Sequence, residues 1–363
     1  MEARDYDLSQ TIPFPPLAYG SAIVLLIISV AIVVGNLFIL ILFAKYRYLR
    51  SAANALVFSL SVTDLCIGVQ RLCLVSIHLS SRGYAAGKLG CVLDGYFTVM
   101  FEAQSLLGLT ALGMERYMAV VKRRPLTMSQ AMMTVAAVWV YSGLLCTIPY
   151  MVKGDAYRLQ SSLLYCTGDW SGTRPGTIFF TIMCLATVTV ALGLFGIAYF
   201  FINREVRLAS KKWANVQTGT GEDSSSMSSP PVAEPTRHSS ISTRQSDALE
   251  AKLAKKSLVL VLVFAFNWLF YDVNFLWSML ARVQVPMILD CLAFLGAIIN
   301  SAFNPVLFIV LDNRWARCAK DFLGCWQTEK TVEKHVTQQG SVVRSAPMSD
   351  RRVSFAVKGK QMA

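Results

Sequence analysis

The sequence predicts an all-α membrane protein, a bundle of seven transmembrane helices with a short amphipathic cytoplasmic helix after the seventh span. Three observations lead to this fold class. Charged residues make up only 15% of the 363-residue chain, whereas a soluble domain has about a quarter. Seven apolar stretches approach or exceed the roughly 20 residues that cross a bilayer. Basic residues cluster in the turns on one side of these stretches. A soluble protein would need seven central helices without an amphipathic outer shell, so that alternative is disfavoured.

The seven spans differ in how many charges they contain. The spans without any charge are 21–44, 131–152 and 175–202. The spans that are nearly as apolar but hold isolated ionisable residues are 52–77, 89–121, 255–280 and 285–311. Ionisable groups inside a membrane are costly and mark functional positions, so the second group of spans is expected to carry the sites.

The basic residues set the orientation of the bundle. The turn after the third span holds Lys122, Arg123 and Arg124, and the turns after the first and fifth spans are similarly basic, whereas the opposite turns hold fewer, such as Arg82 and Lys88. The positive-inside rule therefore predicts an extracellular N-terminus, 1–16, and a cytoplasmic C-terminus. No cleavable signal peptide is predicted, and the first span is expected to act as the targeting signal. The net charge of +12 indicates contact with anionic membrane lipids rather than nucleic acid, because the basic residues flank spans.

Three segments adjoin the spans. Within the predicted seven-transmembrane domain, 17–326, the stretch 209–248 is rich in Ser, Thr and Pro and predicts a flexible third cytoplasmic loop. The stretch 312–326 predicts an amphipathic helix on the inner leaflet, followed by a disordered tail, 327–363. Cys325, at the end of that helix, is either a palmitoylation site or a plain buried thiol.

The stretch GMERYMAVV, 113–121, resembles the Asp/Glu–Arg–Tyr motif of rhodopsin-like (class A) G-protein-coupled receptors. Further landmarks of that family follow in order, including FSLSVTDL in the second span, FAFNW in the sixth and NSAFNPVLF in the seventh, and the resemblance covers about 20–325. It implies a plasma-membrane receptor, not an enzyme, that passes a ligand-induced or basal conformational change to a heterotrimeric G protein. Arrestins and receptor kinases are further implied partners, and the ligand is a small molecule or peptide that the sequence does not identify. A seven-span transporter or ion-translocating protein is the alternative from another class.

The resemblance implies an activation switch around Arg116. Glu115 can neutralise this arginine locally, and Glu250 matches the acidic residue that holds it in resting receptors of the family. The alternative is an arginine that only extends its side chain to the membrane surface. The implied switch consists of Glu115, Arg116, Tyr117, Tyr199, Glu250, Phe264, Trp268, Asn304, Pro305 and Phe308.

A polar cluster in the middle of the membrane resembles the sodium pocket of the same family. Carboxylate, hydroxyl and amide groups at that depth must satisfy one another. The implied allosteric sodium site consists of Asp64, Ser105, Asn300, Ser301 and Asn304. A water-filled polar network without an ion is the alternative.

The predicted ligand site lies on the third span. Asp94, Thr98 and Glu102 recur at i, i+4 and i+8 and so share one helix face, which in the family lines the binding cavity. Thr98 stands where the amine receptors of the family carry an aspartate, which argues against a biogenic amine. Arg71 could instead form an internal ion pair with Glu102 or Asp94 that has no ligand role. The full predicted set is Arg71, Asp94, Thr98, Glu102, Trp268, Tyr271, Asp272, Phe275, Phe294 and Ile298.

Within the family the opsins are the most similar. GCVLDGYF, YCTGDW and RWARCAKDFLGC are opsin-like, and the resemblance implies a disulfide between Cys91 and Cys166. Ile298 occupies the position of the retinal-bearing lysine, and 257–319 contains no lysine, so no Schiff-base retinal is expected. Non-covalent binding of a retinoid or another apolar ligand remains the alternative within the class.

Arginine-preceded serines predict regulation by basophilic kinases in the polar segments. TRHSSIS contains Ser239 and Ser240, and RRVS contains Ser354. Phosphates there would create sites for basic partners. A chance match in a Ser-rich tail is the alternative.

Overall fold

The computed structural model describes residues 7–151, 157–217, 263 and 266–324. Eight helices follow one another along the chain. They are α1 (Pro16–Lys45), α2 (Ala52–Ser80), α3 (Gly87–Val120), α4 (Met128–Met151), α5 (Pro175–Gln217), α6 (266–281), α7 (Met287–Leu311) and α8 (313–324). In the described part of the chain, six of them (α1 to α5 and α7) are long and apolar enough to cross a membrane. The predicted fold class of seven spans followed by a short helix is confirmed. The described part of the sixth span is α6, which corresponds to the second half of the predicted span.

Local sequence explains where the helices begin and end. Ser51 precedes α2, and its hydroxyl accepts a bond of 3.3 Å from the Asn54 N–H, as an N-cap residue does. Pro286 is the N-cap residue of α7. Its ring would clash with a preceding helical turn, so the helix cannot extend to earlier residues. Helix α5 continues to Gln217, so the predicted flexible loop, 209–248, was placed too early. The stretch 203–217 contains neither Gly nor Pro, and nothing in it interrupts a helix that has left the membrane.

Helix α3 runs through the middle of the bundle, where it packs against α2, α4 and α5, while α1 packs against α2 and α7. The α1–α7 contact is close because Gly35 has no side chain: a Cβ there would lie 3.1 Å from Pro305 Cγ. Asn36 Nδ2 donates to Ser301 O over 3.0 Å at the same contact. The central position of α3 means that a side chain at almost any height of this helix faces a neighbouring helix.

Two short antiparallel pairs lie at one end of the bundle, called the strand end below. Strand β1 (Ile12–Pro13) pairs with β2 (Gly83–Tyr84), and β3 (Tyr157–Leu159) pairs with β4 (Cys166–Gly168). The predicted disulfide is present between Cys91 at the start of α3 and Cys166 in β4, with an S–S distance of 2.04 Å. It fixes the β3–β4 hairpin to the start of α3.

Candidate functional site

Asp94 is the centre of a buried hydrogen-bond network at the strand end. Arg71 Nη2 lies 2.7 Å from Asp94 Oδ1, and the side chains of this pair are 1% exposed. Gln70 Nε2 donates to the same oxygen over 2.7 Å, and the Cys166 N–H donates to Asp94 Oδ2 over 2.6 Å. Arg71 also donates to the hydroxyl of Thr98. Of the two partners that the sequence left open for Arg71, the structure pairs it with Asp94.

Asp290 is a second buried carboxylate at the strand end, and the sequence prediction gave it no role. It accepts a bond of 2.8 Å from the Ser162 N–H and one of 2.9 Å from the Tyr165 hydroxyl. Burial and the nearby Asp290 charge raise the pKa of Tyr165, so the hydroxyl stays a donor. The Tyr165 ring stacks on Phe294 with centroids 3.6 Å apart. No periodicity links Asp290 to Ser162, because the bond joins positions 128 residues apart in the chain.

A mostly apolar cavity lies between α3, α5 and α6. Five of the predicted ligand residues line it, namely Glu102, Trp268, Tyr271, Asp272 and Phe275. The other five predicted residues are not part of its wall, namely Arg71, Asp94, Thr98, Phe294 and Ile298. The last two belong to the buried core between α1, α2 and α7. The face shared by Asp94, Thr98 and Glu102 therefore divides into a structural part near the strands and a cavity part deeper in the bundle.

The sequence prediction missed nine described residues of the cavity wall, among them Val99, Ala103 and Leu106 of α3 and Leu145 of α4. Helix α5 supplies four residues, which are Cys184, Thr187, Val188 and Leu192, and the segment after β4 supplies Trp170. Trp170 folds back over Gly168, where a Cβ would lie 2.3 Å from the indole ring. Its ring packs against Phe275 with centroids 4.9 Å apart. The motif YCTGDW held this signal, because the glycine two residues before the tryptophan permits the fold-back.

The predicted mid-membrane cluster is centred on Asp64. Ser301 Oγ donates to Asp64 Oδ1 over 2.8 Å, and Asn304 Nδ2 donates to Oδ2 over 2.7 Å. Asn300 and Ser105 are buried as well, and Ser105 Oγ has no hydrogen-bond partner among the described residues. Among all the described residues there is no group of three or more His, Cys, Asp or Glu side chains that could bind a metal ion. A cation here would therefore have to use one carboxylate together with hydroxyl and amide oxygens.

The predicted activation switch lies toward the opposite end of α3. Arg116 Nε is 3.6 Å from Glu115 Oε2, and the Glu115 side chain is 5% exposed against 18% for Arg116. The ring of Tyr199 on α5 packs against Phe195, with centroids 4.9 Å apart. Just after the end of α7, the Asp312 carboxylate accepts a hydrogen bond of 2.9 Å from Arg314. Burial by itself would raise the pKa of Asp312, but its bonds from Arg314 outweigh burial and lower it.

The remaining switch residues pack into the bundle. Tyr117 lies beside Phe201, with ring centroids 6.0 Å apart, and Phe308 is buried in α7. Six predicted residues lie outside the described part of the chain: Glu250, Phe264, Cys325, Ser239, Ser240 and Ser354.

Comparison with known proteins gives matches along most of the chain. The family model of the 7 transmembrane receptor (rhodopsin family) matches residues 35–308. Mouse Opsin-3 is 26% identical over 308 residues, covering 84% of this chain and 71% of its own. Human Melanopsin is 23% identical over 318 residues, covering 85% of this chain, which spans only 62% of that longer protein. The crystal structure of squid rhodopsin superposes with a TM-score of 0.74 at 19% identity, covering 90% of this chain and 91% of that one. At that identity the superposition shows the fold alone.

Proposed function

Because the chain belongs to the rhodopsin family of seven-transmembrane receptors and is therefore a G-protein-coupled receptor, we propose that it converts ligand binding in the α3–α5–α6 cavity into a rearrangement at the opposite end of the bundle. A basal equilibrium between the same two states accounts for any signalling without ligand. The transporter alternative is not favoured, since the family's members are receptors.

The main observation in support of this proposal is the position of the polar side chains along α3. Glu102 lines the cavity, and Glu115 and Arg116 lie near the other end of the same helix. Glu102 and Arg116 are 14 residues apart, which corresponds to about 21 Å along a helix. Both sites therefore belong to one rigid element at the centre of the bundle, and each contacts helices that can move against it.

The residues around the cavity can favour one arrangement of α3 and α6 over another. Trp268, Tyr271, Asp272 and Phe275 of α6 face Glu102 of α3 across the cavity. The Tyr271 hydroxyl donates to Glu102 Oε2 over 3.3 Å, a long bond between the two helices. A ligand that binds one spacing of α3 and α6 more tightly shifts the population toward it. We propose that the active spacing opens a cleft for the G protein beside Arg116, after release from Glu250.

Sodium is proposed as an allosteric partner at Asp64. The fit rests on a buried carboxylate and on the Ser105 hydroxyl oxygen, which is buried without a described partner. When bound, the ion would supply positive charge opposite Asp64 and so reduce the cost of burying that carboxylate. Asp64, Ser105 and Ser301 would offer oxygen ligands, while Asn304 would continue to donate to the carboxylate. A site of this kind holds the helices in the state that provides all its ligands.

The surroundings of the receptor follow from the charge pattern. The chain is a multi-pass membrane protein, and we propose the plasma membrane, with the strand end outside and α8 on the cytoplasmic side, because basic residues cluster in the turns after α1, α3 and α5. Arrestins and receptor kinases are proposed to act on the serine-rich segments. No covalent retinal is proposed, because Ile298 offers no amine for a Schiff base.

Nucleotide exchange on a purified G protein tests the proposed function. The purified full chain in lipid nanodiscs is expected to accelerate exchange of guanine nucleotides on at least one class of heterotrimeric G protein. Arg116→Ala is the matched variant, and it should lose this activity while still unfolding in a cooperative thermal transition, which shows that the variant is folded. A wild-type chain that activates no G-protein class, with and without candidate ligands, would show that the proposal is wrong.

A further inference from the structure

The wall of the α3–α5–α6 cavity has an unusual balance of charge. Aromatic and aliphatic side chains form most of its surface, and the only acidic groups among its lining residues are Glu102 and Asp272. None of these lining residues is Lys, Arg or His. A carboxylate that faces an apolar cavity loses the solvation that water would give it, so it needs a proton or a cation close by.

The Glu102 carboxylate is incompletely satisfied by the protein. Its Oε2 accepts one long bond, 3.3 Å, from the Tyr271 hydroxyl. Its Oε1 is buried and accepts no hydrogen bond from any residue that the structure describes. An acceptor left in this condition lowers stability, and a charged one lowers it further. A donor brought by a ligand into the cavity would remove that cost.

The protein's own buried cation does not serve this purpose. Arg71 Nη2 is committed to Asp94 at 2.7 Å and to Thr98, and Arg71 is not part of the cavity wall. Asp94 is in turn held by the backbone N–H of Cys166. The charge of Arg71 reaches Glu102 through space, but its described hydrogen bonds go to Asp94 and Thr98. A direct ionic partner for the Glu102 carboxylate therefore has to come from elsewhere.

The aromatic part of the wall also favours a cation. Two tryptophans, Trp170 and Trp268, line the cavity together with Tyr271 and Phe275. Trp170 meets Phe275 at an interplanar angle of 77°, and Trp268 meets Tyr271 at 80°, so within each pair the edge of one ring lies against the face of the other. The negative face of an aromatic ring attracts an ammonium group within about 6 Å, most strongly for tryptophan.

We propose that this cavity binds a small organic cation, an ammonium group with an apolar body, and that Glu102 is its counter-ion. The inference rests on the proposed function, because it names the ligand class of the proposed receptor. Thr98 argues against the amine-binding arrangement of the family, so the proposal assigns the counter-ion to a different residue of α3, Glu102. Glu102 follows Thr98 by four residues, so the acidic group lies one helical turn deeper.

Benzylammonium, benzyl alcohol and benzoate form a suitable probe set, because they share a ring and differ in charge. Binding to the purified full chain is measured as a shift of the thermal midpoint against probe concentration at pH 7. Benzylammonium is expected to bind at least about tenfold more tightly than benzyl alcohol, as the loss of a charge-assisted bond predicts, and benzoate should not bind. Glu102→Gln should abolish the preference for the cation while leaving the weak binding of the alcohol.

Asp290→Asn is the matched control, because this buried carboxylate bonds to Ser162 and Tyr165 instead of facing the cavity. It should keep the preference for benzylammonium even if its midpoint falls. Equal binding of alcohol and ammonium, or an unchanged preference in Glu102→Gln, would overturn the proposal. G-protein activation is measured separately, so a cation preference without activation contradicts the proposed function alone, and activation without a cation preference contradicts the ligand class alone.

Discussion

Replacing Asp94 by Asn tests whether the network at the strand end holds the bundle together. The change removes the negative charge opposite Arg71, whose guanidinium is buried and 2.7 Å from the carboxylate. It also puts a donor amide among three donors, which are Arg71, Gln70 and the Cys166 N–H. The asparagine oxygen can replace only one of the two carboxylate oxygens. In either orientation of the amide, its NH2 group therefore faces at least one of these donors. The variant is expected to be strongly destabilised.

The expected size follows from burial of both partners. Removing one partner of a buried ion pair costs about 3–5 kcal/mol, because the other charge stays buried without compensation. With an unfolding entropy of about 2.1 cal/mol/K per residue, a chain of 363 residues shifts by about 1.3 °C for each kcal/mol, so the thermal midpoint should fall by about 4–7 °C. The assay is thermal unfolding of the purified receptor under oxidising conditions, which keep the Cys91–Cys166 disulfide intact.

Two further variants make the interpretation unambiguous. Asp312→Asn makes the same change in an ion pair whose arginine side chain is 37% exposed, and it should cost less than about 1 kcal/mol. The double variant Arg71→Met with Asp94→Asn removes both charges and should recover about half of the loss, since no unpaired charge remains buried. A fall below 2 °C for Asp94→Asn, or a double variant less stable than either single one, would refute this reasoning.

Three other predictions concern the switch, the missing lysine and the mid-membrane cluster. Glu250→Ala should raise ligand-independent nucleotide exchange several-fold, about 1 kcal/mol in population, because it removes the proposed partner of Arg116; unchanged basal exchange at equal expression would contradict it. Protein mixed with retinal and reduced with borohydride should carry no retinyl-lysine adduct by mass spectrometry, since Ile298 has no amine, and an adduct on any lysine would contradict this. Sodium should raise the thermal midpoint more than an equal concentration of choline, and Asp64→Asn should abolish the difference; equal effects in the wild-type chain would indicate a water network instead.

Composition and charge placement were sufficient to predict the fold class. Apolar stretches of membrane length leave a chain few alternatives, because every backbone polar group must be satisfied within the helix that carries it. The same reasoning located the mid-membrane cluster, where Asp64, Ser301 and Asn304 are in direct contact. Boundaries outside the membrane were less well constrained, as the continuation of α5 to Gln217 shows.

The predicted ligand residues agree only in part with the lining of the cavity. Helical periodicity placed Asp94 and Glu102 on one face of α3, and it was correct about the face. Periodicity could not show that the Cys166 N–H would donate a hydrogen bond to Asp94, because Cys166 in β4 lies 72 residues further along the chain. The same limit applies to Asp290, whose partners lie in the segment between β3 and β4. Partners that depend on tertiary contacts leave no local pattern.

Four carboxylates inside the bundle, Asp64, Asp94, Glu102 and Asp290, can be ordered by how completely the protein satisfies them. Asp94 accepts bonds from Arg71, Gln70 and the Cys166 N–H, while Asp290 and Asp64 each accept two bonds shorter than 3.0 Å. Glu102 accepts a single bond of 3.3 Å. Since an unsatisfied buried acceptor lowers stability, a carboxylate with several short bonds is explained by the fold, whereas one without them requires a further partner. This difference separates Asp94, which secures the strand end, from Glu102, which faces the cavity, although the two lie on the same helix.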